Sequence, residues 1–112
     1  WLRNTCKFVH VFMRNGTMAK KHVHELARIF SAVNDVLDMV ELLEDACTQK
    51  EIEAIHQRFL VAQMLKDGYT FVEIENKTGM SSTTIARVNK CLKNGTGYNK
   101  LFDKYQVKID VS

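Results

Sequence analysis

Four consecutive hydroxyl residues, Ser81, Ser82, Thr83 and Thr84, stand directly ahead of Ile85, and Arg87, Lys90 and Lys93 follow at intervals of three. Hydroxyls at the start of a helix sit beside free backbone amides and the positive end of the helix dipole. That arrangement suits phosphate, and the hydroxyls themselves donate to backbone oxygens or base edges. Cations at this spacing share the exposed side of a helix, where they neutralise phosphates, while Arg87 and Asn89 carry the groups that read bases. The plain alternative is a solvated polar helix that Ser81 merely caps.

Other chemistries find less support. His10, His22, His24 and His56 hold no metal-ligand interval, because His22 and His24 point to different sides of a helix and no second pair lies at a spacing such as His-x3-His. The three cysteines, Cys6, Cys47 and Cys91, are far apart, include no CxxC pair and read as reduced thiols, Cys47 and Cys91 as small buried side chains. No catalytic signature surrounds them, and no glycine-rich phosphate loop or paired acid motif appears. Neither a metal site nor an enzyme is expected.

The positioning elements follow from composition and periodicity. A chain of 112 residues with no proline, 46% hydrophobic and 26% charged, fits one small all-α domain. The net charge of +3 is compatible with a polyanionic partner without establishing one. No apolar run approaches the roughly 20 residues that cross a bilayer, and the expected location is cytoplasmic.

Residues 1–17, "WLRNTCKFVHVFMRNGT", lack a helical stripe and end in an Asn15-Gly16 turn signal. They are an atypical extension ahead of a start at Met18, or else an arm or edge strand. From there Val23, Leu26, Ile29 or Phe30, Val33, Val36, Leu37, Val40 and Leu43 keep helical spacing, and Asn34-Asp35 divides them into two helices. Thr48 to Glu51 is a capping box that opens a third helix, with Ile52, Ile55, Phe59, Ala62 and Leu65 on its inner face and Gly68 closing it.

A second capping box, Thr70 to Glu73, opens a short helix ending at Gly79, and Ser81 caps the next, which Asn94-Gly95 ends. Ile74, Met80, Ile85 and Val88 are spaced to lock these two helices across a glycine corner, the pattern of a helix-turn-helix at about residues 71–94. Glu75 departs from it, since alanine is common at that tightly packed position. A last amphipathic segment around Tyr98, Leu101, Phe102 and Tyr105 completes a domain over residues 18–106, and residues 107–112 form a frayed tail.

The segments "CTQKEIEAIHQR", "VAQMLKDG" and "EIENKTGMSSTTIARVNKCL" resemble the Trp repressor superfamily, specifically its YerC/YecD branch. The resemblance runs from about residue 21 to about residue 104. It implies an intertwined dimer of Trp-repressor-like helical bundles, whose reading heads enter successive major grooves of double-stranded DNA. The implied role is a sequence-specific transcriptional regulator, a repressor, with Thr70, Ser81, Ser82, Thr83, Thr84, Ala86, Arg87, Asn89 and Lys90 at the DNA. In the Trp repressor tryptophan lies between two arginines; Arg58 and Arg87 match them, and Thr48 and Thr84 match nearby polar positions. The serine that helps hold the ligand's amino group corresponds to Cys91, a poorer hydrogen-bond partner, which argues against L-tryptophan as effector. The alternative function is a helical protein-interaction or small-ligand-sensing module that binds no operator.

Overall fold

The computed structural model describes residues 18–112, so the arm, strand and extension expected of residues 1–17 lie outside it. Among the described residues there are six α-helices and no strand: α1 Met18–Ala32, α2 Val36–Ala46, α3 Gln49–Lys66, α4 Phe71–Thr78, α5 Ser82–Asn94 and α6 Gly97–Asp103. The all-α expectation holds.

The helix starts are set by side chains that replace missing backbone partners. Asp35 Oδ2 accepts from the Asp38 amide at 3.0 Å and begins α2. In the Thr48 capping box the hydroxyl accepts from the Glu51 amide at 3.2 Å and the Glu51 carboxylate accepts from the Thr48 amide at 2.8 Å. Thr70 and Glu73 repeat it at 3.1 and 2.8 Å, fixing where α4 begins.

Among the described residues the core lies entirely in the second half of the chain. Val61, Ala62, Met64, Ile74, Ile85, Val88 and Phe102 are buried, and α3 packs against both α4 and α5. Of the stripe expected on α3, only Ala62 is fully enclosed, and Ile55 remains exposed. The last turns of α3 are instead covered on all sides, Val61 through Met64 in succession, because α4, α5 and the tail surround that end. Lys66 ties α3 to α6, its Nζ 3.0 Å from Asp103 Oδ1 and 5.9 Å from the Phe102 ring centre.

The tail corrects the expectation of fraying. The buried Gln63 donates from Nε2 to Asp67 at 3.0 Å and accepts at Oε1 from the Ile109 amide at 2.9 Å. Ile109 and Val111 then pack on the core. Six residues of alternating apolar and polar type show no helical stripe, and the hydrogen bond that anchors them uses a backbone amide that every non-proline residue possesses, so the docking was hard to foresee. The cysteine expectation also needs correction: Cys47 is a free thiol, whereas Cys91 is not free, and both are half-buried. Wide spacing in the chain says nothing of distance in space.

α1 and α2 stand apart from this core. α2 buries no residue, and Leu26, Ile29, Phe30, Val36, Leu37 and Val40 remain exposed. Their periodicity is helical as expected, but the described residues supply nothing to cover it.

Candidate functional site

The corner between α4 and α5 is built around Gly79, which takes φ +75° and donates its amide to the Glu75 carbonyl at 2.8 Å. Thr78, which sequence reasoning passed over, stitches the corner: its hydroxyl donates to the Ile74 carbonyl at 2.7 Å and accepts from the Met80 amide at 3.1 Å. Ile74 and Ile85 are fully enclosed, and Val88 beside them, so the two helices are clamped in one relative orientation. The half-buried Glu75 is accommodated at the position where alanine is common. A Cβ added to Gly79 meets nothing within 4 Å, so Gly79→Ala carries only the left-handed backbone penalty. We expect it to cost roughly 1–2 kcal/mol, read as a lower urea midpoint with unchanged slope.

Ser81 caps α5 as expected, its Oγ accepting from the Thr84 amide at 3.3 Å and sharing a hydrogen bond with Thr84 Oγ1 at 3.1 Å. These two hydroxyls are therefore engaged with each other. Ser82, Thr83, Ala86 and Lys90 are exposed and Arg87 is half-buried; together with Phe71 they line an open groove of about 510 Å³. The groove thus brings together five of the residues singled out on the recognition helix. Asn89 lies half-buried outside its lining, and the Thr70 hydroxyl is occupied in its capping box.

Phe71 is the lining residue that sequence reasoning missed. Its local sequence did not mark it, because Phe71 opens α4 at the end opposite the Gly79 corner and reaches the groove only through the packing of α4 against α5.

The charge along the stretch that contains α5 is one-sided. Between Glu75 and Asp103 the chain carries Lys77, Arg87, Lys90, Lys93 and Lys100 and no acid. Among the described residues none of Arg87, Lys90 and Lys93 has an ion-pair partner. Their charge is left to face outward.

The residues expected around a small effector are less gathered. Of Thr48, Arg58, Thr84, Arg87 and Cys91, only Arg87 lines the groove. Thr48 is engaged in its capping box. Arg58 acts on Tyr98 of α6: burial pushes the Tyr98 hydroxyl above its ordinary value, and the Arg58 charge draws it part of the way back. The Tyr98 ring meets Phe59 edge-on at 5.6 Å. Among the described residues no group of three or more His, Cys, Asp or Glu side chains is placed to hold a metal ion, and no helix is long and apolar enough to cross a membrane.

Comparison with known proteins covers the same span. The chain matches the model of the Trp repressor protein family over residues 21–106. It is 37% identical over 89 residues to the uncharacterised protein YerC of Bacillus subtilis (strain 168), covering 77% of this chain and 80% of YerC. The crystal structure of a TrpR-like protein from Eubacterium eligens superposes with a TM-score of 0.71 at 35% identity, covering 80% of this chain and 94% of that one. A solved structure from Staphylococcus aureus gives 0.69 at 31% identity, covering 80% and 91%. With its glycine corner, its clamped pair of helices and most of its length matched, the chain belongs to the Trp repressor family.

Proposed function

We propose that this chain is a homodimeric, sequence-specific DNA-binding regulator of transcription, a repressor, which lays α5 in the major groove and catalyses no reaction. The observation that carries the reading is the outward face of α5: Ser82, Thr83, Ala86, Arg87 and Lys90 on one side of a clamped helix, its cations without internal partners. Family membership supports the same class of function. A helix presenting its first turns to base edges while its cations meet phosphates is how such motifs bind duplex DNA.

The dimer is supported by what the described residues leave uncovered. α1 and α2 together expose Leu26, Ile29, Phe30, Val36, Leu37 and Val40, an apolar surface of the kind that a second copy covers through a two-fold interface. Two copies would also present two reading helices to successive turns of DNA.

We further propose that no effector is required. The Thr48 hydroxyl already caps α3, the Thr84 hydroxyl is hydrogen-bonded to that of Ser81, and the half-buried Cys91 stands where the ligand-holding serine is expected. The test is selection of sheared genomic DNA by the purified protein at physiological salt, with and without L-tryptophan, followed by sequencing of the retained fragments. Enrichment of one pseudo-palindromic site in both arms is expected. Enrichment only with tryptophan would overturn the effector statement. A folded dimer that enriches nothing in either arm would reject the regulator and leave the interaction or ligand-sensing module.

A further inference from the structure

Phosphate binding accounts for the cations of the groove but not for Phe71. This side chain opens α4, remains 36% exposed rather than joining the core, and shares the groove with Ala86, Thr83, Arg87 and Lys90. Ring carbons offer a phosphate oxygen no hydrogen bond worth the name, so an aromatic wall contributes little to a purely anionic ligand. The unpartnered charges of Arg87 and Lys90 nonetheless commit the groove to a polyanion. A ligand that is both polyanionic and locally apolar satisfies the two observations together. In the major groove of DNA the apolar feature is the 5-methyl group of thymine, and phenylalanine, alanine and the threonine methyl are side chains that meet it.

We infer that Phe71 and Ala86 form a seat for the 5-methyl group of a thymine, so that Phe71 sets a thymine preference at one position of each half-site. This rests on the DNA-binding reading of α5 and adds to it a residue on the preceding helix. The seat lies where the N-terminal end of α4 and the exposed face of α5 both reach the groove, and the clamp of Ile74 against Ile85 and Val88 holds its two walls in register.

The test alters the DNA before the protein. Each thymine of the selected site is replaced, one at a time, by deoxyuridine, which lacks only the methyl, and the affinity of the full chain is measured. At one thymine per half-site the replacement should weaken binding about fourfold, the equivalent of roughly 0.8 kcal/mol for one buried methyl carbon. Phe71→Ala should bind the thymine duplex more weakly and be indifferent to the replacement, while Phe71→Leu, which keeps an apolar side chain, controls for folding. A selected site without thymine, a neutral replacement at every position, or an equal penalty in Phe71→Ala would overturn the seat while DNA binding stood. Failure of the folded protein to retain any duplex would reject the DNA reading, and the seat with it.

Discussion

Leu37→Glu is expected to dissociate the protein into monomers and abolish retention of its DNA site. In the single chain Leu37 is 74% exposed and its neighbour Val36 77%, so by the isolated fold alone the substitution would be harmless, within about 0.5 kcal/mol as for other surface changes. A second copy covering α2 reverses that outcome. The carboxylate would then be enclosed without a partner, at a cost of several kcal/mol per ion, and a two-fold interface would bear it twice. Sedimentation equilibrium should find twice the chain mass of 12.9 kDa for the parent protein and a single chain mass for the variant. The parent's thermal midpoint should also rise with protein concentration, as mass action requires of a folded dimer. Unchanged mass and stability in Leu37→Glu would mean that the apolar face of α2 meets water in the native protein, and the dimer would fail with it.

How much of this architecture the sequence discloses depends on the range of the forces involved. Capping is local, so Thr48 with Glu51, Thr70 with Glu73, Asp35 and Ser81 were all legible, and each marks a helix start. The glycine corner was legible for the same reason: positive φ at Gly79 is a property of one residue. The burial of α3 was not, since Val61 through Met64 are enclosed by elements that arrive from later in the chain, and a single stripe cannot express enclosure on every side. Gln63 is the sharper instance. A glutamine in that run reads as surface, yet it is buried because Asp67 and the distant Ile109 amide satisfy both ends of its amide. Within the site, the α5 face followed from helical spacing, whereas Phe71 belongs to another helix and joins the groove only through tertiary packing.

Arg87→Ala and Lys90→Ala should weaken DNA binding in two different ways, and the contrast bears directly on the α5 face. Arg87 is half-buried and lines the groove with Ala86 and Phe71, and its planar fork is the group suited to pair bidentately with a base edge. Its loss should cost roughly 1–3 kcal/mol per half-site, relax sequence preference at the contacted position, and leave the salt dependence nearly unchanged. Arg87→Lys should recover little, since an ammonium keeps the charge without the fork. Lys90 is exposed and long, a point charge suited to phosphate. Lys90→Ala should therefore lower affinity for all sequences alike and reduce the salt slope by about one counterion per copy. Fluorescence anisotropy across a salt series, with the selected duplex and a scrambled one, separates these outcomes. A changed salt slope in Arg87→Ala with sequence preference intact would move Arg87 to the phosphate backbone. Unaltered binding in both variants would remove this face of α5 from the DNA altogether, because no acidic side chain among the described residues is paired with either cation to offer them a structural role instead.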